Sequence, residues 1–189
     1  MDKSDENDCE VVLVDPETYR KRYPPIGKDM GDSLNVSVSM DIITLGEFRE
    51  IEFSYKIKFK INVQWSDERL IFQNLKNDTD RNIIGKDKMH RLWTPPLVFN
   101  NSEKTTMLKL ERPVEEPTVS MFVKKVGGAE IAPPNYLDES YLYKGSENPL
   151  LMVAIYNLKV HCVYDFGYYP FDHQHCETEV NLFYVFVIV

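Results

Sequence analysis

The stretch Ile51-Glu-Phe-Ser-Tyr-Lys-Ile-Lys-Phe-Lys-Ile-Asn-Val-Gln-Trp65 decides the fold. Ile51, Phe53, Tyr55, Ile57, Phe59, Ile61, Val63 and Trp65 are apolar, while Glu52, Ser54, Lys56, Lys58, Lys60, Asn62 and Gln64 between them are polar. Successive side chains of a strand point to opposite faces, so this alternation predicts a long strand with one buried and one wet face. At about 3.3 Å per residue it would reach roughly 50 Å, which suits a bent strand in an elongated β-sandwich. Upstream, Val36, Val38, Met40 and Ile42 alternate with Ser37, Ser39 and Asp41, predicting a partner strand. The hairpin turn is expected at about Leu45 to Arg49, around Gly46.

Further strands are expected near Leu108–Leu110, Val119–Val126, Leu150–Cys162 and Cys176–Val189. Pro95-Pro96, Gly127-Gly128, Pro133-Pro134 and Gly145 punctuate them. One short helix is expected: Asp15 as cap, Pro16 in its first turn, Tyr19 to Tyr23 continuing it, and Pro24-Pro25 ending it. The chain therefore reads as mainly β with a short N-terminal α-helix. Residues 1–32 form an N-terminal segment and residues 33–189 the β-sandwich.

The 189 residues suit one domain, and 43% apolar with 12% aromatic content excludes a disordered or collagen-like chain. Thirty acidic against 22 basic side chains give a net charge of -8, which argues against nucleic acid as a partner. The apolar run Phe183 to Val189 is far short of the roughly 20 residues of a membrane helix. Met1 to Asp8 are too acidic for a signal peptide. No Gly-rich phosphate loop, metalloprotease His-Glu motif or hydrolase elbow is present, so an enzyme is not expected. No cofactor or metal is expected either. His173 and His175, beside Asp172 and Cys176, read as a zinc pair, as part of a Cys-His nucleophile, or as exposed histidines.

Cys162 and Cys176 enclose 13 residues around the turn-prone Tyr169-Pro170-Phe171-Asp172. They read either as a disulfide, contributing about 3 kcal/mol by loop entropy, or as two unrelated buried thiols. Cys9 is the odd thiol, free or intermolecular. Three sequons, at Asn35, Asn77 and Asn100, lean towards the secretory route.

Four features together resemble the extracellular domain of the Cys-loop receptors, the pentameric ligand-gated ion channels. The first is Cys162-Val-Tyr-Asp-Phe-Gly-Tyr-Tyr-Pro-Phe-Asp-His-Gln-His-Cys176, with the family's spacing and aromatic-Pro-Phe-Asp centre. The second is Trp65-Ser-Asp-Glu-Arg-Leu70, like the family's Trp-x-Asp-x-x-Leu. The third is Leu92-Trp-Thr-Pro-Pro-Leu-Val-Phe-Asn-Asn101, like its Trp-x-Pro-Asp segment, with Pro96 in place of the Asp. The fourth is their order along the chain. The likeness runs from about Asp15 to Phe186.

The resemblance implies an immunoglobulin-like β-sandwich, incomplete at the C-terminus, and a disulfide between Cys162 and Cys176. It implies a small-molecule agonist bound between neighbouring subunits, identical or related, in a pentamer. It also implies an extracellular location, with attachment to the membrane through a pore domain absent from this chain. Because the family domain continues into further strands and four membrane helices, the chain is expected to be a truncated fragment or short form. A soluble binding protein or assembly modifier without a pore is the alternative.

By the same resemblance the ligand-binding positions are Phe183, Asn100, Lys60 and Asn62. Phe183 follows Glu177, Glu179 and Asn181 on the wet face of its strand, or else ends a strand buried on both sides. Asn100 replaces a box aromatic and heads a sequon, Lys60 replaces another aromatic, and Asn62 stands where amino-acid-gated relatives carry a carboxylate-binding arginine. An ammonium group in such a box is held by aromatic faces. Gating coupling is carried over to Gly46, Glu47, Phe48 and Arg49 and to Tyr169, Pro170, Phe171 and Asp172.

Overall fold

The computed structural model describes residues 10–13, 19–25, 34–103, 118–131 and 141–182. Its strands are β1 (Glu10–Leu13), β2 (Val36–Arg49), β3 (Ser54–Trp65), β4 (Leu70–Gln73), β5 (Leu97–Phe99), β6 (Thr118–Val123), β7 (Glu130–Ile131), β8 (Tyr141–Lys144), β9 (Leu150–His161) and β10 (Val180–Leu182). All pair antiparallel, in the orders β2-β3-β9-β6, β1-β4-β8-β7 and β10-β5.

The alternation in β3 is the organising feature. Tyr55, Ile57, Phe59, Ile61, Val63 and Trp65 are all buried, while Lys56, Lys58, Lys60, Asn62 and Gln64 are partly or fully exposed. Each large apolar side chain withdrawn from water contributes about 1.5–3 kcal/mol, and that sum selects the register. On β9, Leu150, Met152, Ala154 and Val160 share the buried face. Phe59 meets Phe99 edge-on with ring centroids 5.5 Å apart, so β5 lies across the inward face of β3. One core cluster takes side chains from all three sheets, among them Trp65, Phe72, Phe99 and Tyr143. The chain is mainly β, as the sequence predicts.

Several boundaries depart from expectation. The hairpin reverses at residues 50–53 rather than at Leu45 to Arg49, since β2 continues to Arg49, which pairs with Ser54. Arg49 reaches across the turn to Glu52 at 2.8 Å, and Phe53 takes a left-handed backbone with φ 49°. Ile51 and Phe53 thus leave the strand and are exposed. The long alternating strand is therefore 12 residues. Strands β6 and β9 fall close to their expected positions, but only Val180–Leu182 of the last one is seen as strand. The strand expected at Leu108–Leu110, and residues 183–189, lie outside the described residues, as do Cys9 and residues 14–18.

The expected helix is not formed where it is described: at 19–25 the chain makes a turn, closed by Tyr23 N–H donating to the Arg20 carbonyl at 3.0 Å. The short helix α1 lies instead at Lys86–Met89, just after a 3₁₀ turn at Thr79–Arg81. Among the described residues no helix is long and apolar enough to cross a membrane.

Two fully buried asparagines stand in for backbone. Asn82 accepts from Lys76 N–H at 2.8 Å and donates to the Lys76 and Val123 carbonyls at 2.9 and 3.2 Å. Asn148 accepts from Val126 and Gly127 N–H at 2.9 and 3.0 Å and donates to the Lys144 carbonyl at 2.9 Å. Each fastens loops that no ladder reaches, because a buried backbone polar group must find a partner.

Candidate functional site

At one end of the sandwich β9 runs into a loop closed by a disulfide between Cys162 and Cys176, with Cα atoms 5.3 Å apart. The pairing removes Cys176 from any role as nucleophile or metal ligand. The base of the loop is tied to the hairpin turn: Cys162 N–H donates to the Phe53 carbonyl at 2.7 Å, and the Tyr164 hydroxyl to the Ser54 carbonyl at 2.8 Å. Tyr164 also stacks against Phe53, centroids 6.4 Å apart. Inside the loop Gln174 is the brace. Its Nε2 donates to the Asp165 carbonyl and its Oε1 accepts from Asp165 N–H, both at 2.8 Å, and Asp172 accepts from the same amide nitrogen.

With its base fixed, the loop presents an apolar tip. Tyr168, Tyr169 and Phe171 are 82, 70 and 85% exposed, around Pro170, whose peptide bond with Tyr169 is cis. Beside the loop's base, the hairpin turn exposes Ile51 at 95%. These side chains, left in water beside a tightly bonded base, form an exposed apolar patch rather than part of the core.

The hairpin end is held by charge. Glu47 pairs with Lys56 at 2.6 Å, and Arg49 lies 2.8 Å from Glu52. Lys159 on β9 bridges Glu52 and Glu103, each at 2.6 Å. Hydrogen bonds from Lys159 and Arg49 hold the Glu52 carboxyl down at about 2, and that from Lys56 lowers Glu47. Of the four positions expected at the turn, Gly46, Glu47, Phe48 and Arg49 instead form the last residues of β2, beside it. Phe48 stacks on Tyr55 with centroids 6.2 Å apart. The Lys159 bridge was not legible in the sequence, because Glu52 and Glu103 lie in turns 107 and 56 residues away from Lys159 and meet it only in the folded chain.

The expected ligand positions fall in two places. Lys60 and Asn62 are neighbours on the outward face of β3. Lys60 lies 3.5 Å from Asp41, and Asn62 donates to the Ser39 hydroxyl at 3.1 Å. Across the ladder they face Ile155 and Val153 of β9, both half-buried, with Ser120 and Phe122 of β6 further along the same face. Asn100 directly follows β5 in the other layer, where its Nδ2 donates to Glu179 at 3.3 Å. Within one chain the structure does not bring Asn100 together with Lys60 and Asn62. Phe183 lies outside the described residues.

His175 sits 3.1 Å from Glu177. Among the described residues no group of three or more His, Cys, Asp or Glu is placed to hold a metal ion. A second cluster, missed in the sequence, supports this architecture from the far end of β3. Buried Asp67 is gripped by Arg69, whose guanidinium stacks 4.5 Å over the Tyr19 ring. The Tyr19 hydroxyl accepts from Trp93 N–H at 2.9 Å and donates to Asp67 at 3.3 Å. Burial pushes the Tyr19 hydroxyl up to about 12.

Residues 11–140 match the family model described as neurotransmitter-gated ion-channel ligand binding domain. A gamma-aminobutyric acid receptor subunit beta-like of Drosophila melanogaster is 23% identical over 160 residues, 80% of this chain and 27% of its own. The acetylcholine-gated chloride channel subunit acc-1 of Caenorhabditis elegans is 29% identical over 103 residues, 53% of this chain and 21% of its own. Rat gamma-aminobutyric acid receptor subunit rho-3 is 21% identical over 154 residues, covering 80% and 27%. The chain thus spans about a quarter of the length of these curated relatives.

Proposed function

Since the chain belongs to the neurotransmitter-gated ion-channel ligand-binding-domain family, we propose that it is the extracellular agonist-sensing part of a channel subunit. The family is one of receptors, not enzymes, and the reading carries that further to this chain. A small-molecule agonist binds between neighbouring subunits, one offering the outward face of β3 with Lys60 and Asn62, the next offering the region of Asn100 and Phe183. The observation that carries this reading is the pairing of a disulfide-closed, internally braced loop with the β2–β3 hairpin at one end of the sandwich.

The exposed tip around Tyr169, Pro170, Phe171 and Asp172, and the hairpin end from Gly46 to Arg49, rest on a membrane-embedded pore domain. They pass movement of the sandwich to that domain. The outward face around Phe122, Leu151, Val153 and Ile155 supports the neighbouring-subunit part, because half-buried apolar side chains on a wet face gain from being covered.

The test is electrophysiology on cells expressing the full-length subunit, alone and with related subunits, against a panel of amine and amino-acid transmitters. A gated current whose half-maximal concentration shifts in Lys60→Ala is expected. Absence of any gated current from a surface-expressed subunit, in every combination, would sink the reading.

A further inference from the structure

Two of the three sequons, those at Asn77 and Asn100, differ in what the fold leaves free. Asn77 sits in the exposed turn between β4 and the 3₁₀ turn Thr79–Arg81, with Asp78 extended at φ -88°, ψ 119°. Its Oδ1 accepts a hydrogen bond from the Lys125 ammonium at 3.0 Å. An ammonium only donates, so the amide's orientation is settled: oxygen towards Lys125, nitrogen away from it. Lys125 is itself positioned, lying 5.0 Å over the Tyr143 ring. No described residue accepts a bond from the Asn77 Nδ2.

Asn100 is turned the other way. A carboxylate only accepts, so its Nδ2 must face Glu179, at 3.3 Å. Its backbone N–H also donates to the Glu179 carbonyl at 3.2 Å. The Ser102 hydroxyl donates to the Phe99 carbonyl at 3.1 Å, and Ser102 forms a β-bridge with Val160. Asn101 donates to the Glu177 carbonyl at 2.6 Å and accepts from Glu179 N–H at 3.0 Å. That sequon is stitched into the seam between β5 and the chain leading into β10.

We propose that Asn77 carries an N-linked oligosaccharide and that Asn100 does not. The donor is a lipid-diphosphate-linked oligosaccharide. The Asn77 Nδ2 attacks its anomeric carbon, the carbon–oxygen bond to the diphosphate breaks, and the lipid diphosphate leaves with the bonding electrons. A new carbon–nitrogen bond forms and one Nδ2 proton is lost to the transferase's base. Nothing in the folded turn has to give way: the Lys125 bond to Oδ1 survives, and the sugar departs into solvent. At Asn100 the sugar would displace the Glu179 contact and press on the β5–β10 seam. A glycan on Asn77 reserves the flank beside Lys125, two residues past the end of β6, for solvent rather than for a neighbouring subunit.

The test uses the protein expressed through the secretory pathway of eukaryotic cells. Release with peptide-N-glycosidase in heavy-oxygen water, followed by mass spectrometry of the peptides, marks each formerly glycosylated Asn as a labelled Asp. Label at residue 77 and none at residue 100 is expected. Asn77→Gln should migrate one glycan step faster, Thr79→Ala should lose that glycan, Thr79→Ser should keep it, and Asn100→Gln should migrate as the parent. The labelling needs no variant, so a misfolded substitution cannot obscure it. Unlabelled Asn77 in secreted protein, or labelled Asn100, overturns the proposal.

Discussion

Both oxygens of the buried Asp67 carboxylate are held by Arg69, two residues along, through Nε at 2.8 Å and Nη2 at 2.7 Å. Arg69 N–H adds a third bond to the same carboxylate at 3.0 Å. A bidentate, charge-assisted grip of this kind is what makes an ionised side chain tolerable at 1% exposure. With Tyr19 and Trp93 it joins the N-terminal segment, the β3–β4 turn and the irregular chain leading to β5. Asp67→Ala removes the buried acceptor of Arg69 and Tyr19, and since Arg69 is partly exposed and keeps its bond to the Tyr23 carbonyl, the cost should be about 1–3 kcal/mol. Chemical denaturation, with the slope unchanged, checks this.

The two ends of the sandwich respond to opposite pH extremes. Glu52 has its carboxyl lowered from 4.5 to about 2 by Lys159 and Arg49. A depressed carboxylate contributes stability that is present above its unfolded value and lost as pH falls through the folded one. Thermal stability should therefore fall between about 4.5 and 2, less steeply in Glu52→Gln. Tyr19 is raised from 10.0 to about 12 by burial. Its contribution is complete below 10 and lost as pH rises towards 12, so Tyr19→Phe should flatten that limb. Tm against pH for both variants is the measurement, and parallel profiles to the parent would contradict it.

Phe59 and Lys58 are adjacent, yet one is fully buried and the other exposed. Phe59→Ala should cost about 3–5 kcal/mol through lost burial and the cavity left. Lys58→Ala should stay within about 0.5 kcal/mol. Equal effects in unfolding titrations would refute the facing assigned to β3.

Replacing both Cys162 and Cys176 by alanine removes the constraint on a 14-residue separation. A loss of about 3 kcal/mol is expected on loop-entropy grounds. Tyr169→Ala and Phe171→Ala, at an exposed tip, should leave unfolding within about 0.5 kcal/mol while reducing the maximal agonist-gated current of the full-length subunit. Surface expression, measured in parallel, separates lost gating from lost protein.

The alternation of Tyr55 to Trp65 was legible because burial of one face is a local, period-2 signal that survives into the packed sheet. The same alternation hid the turn. Ile51 and Phe53 continue the pattern, but the chain reverses there through the Arg49–Glu52 pair and the left-handed Phe53. In the described part of the expected helix, Tyr19 to Tyr23 make a turn, and the Tyr19 hydroxyl is held by Trp93 and Asp67, 74 and 48 residues away, contacts that no local pattern shows. The disulfide was readable from spacing and resemblance together. By contrast, the Asp41 beside Lys60 and the Ser39 beside Asn62 depend on strand register, which no single stretch of sequence reveals.

The paired roles of Asn82 and Asn148 also bear on how the protein ages. Deamidation would turn either amide into a carboxylate, so a group that donates to the Lys76 and Val123 carbonyls, or to that of Lys144, would instead point a negative oxygen at them. The usual route needs the next residue's backbone nitrogen to attack the side-chain carbonyl. After Asn148 that nitrogen belongs to Pro149, which has no N–H to give up, and after Asn82 it belongs to the β-branched Ile83. The two amides whose hydrolysis would do most harm are followed by residues that obstruct it, whereas Asn77, exposed and followed by Asp78, has no such shield.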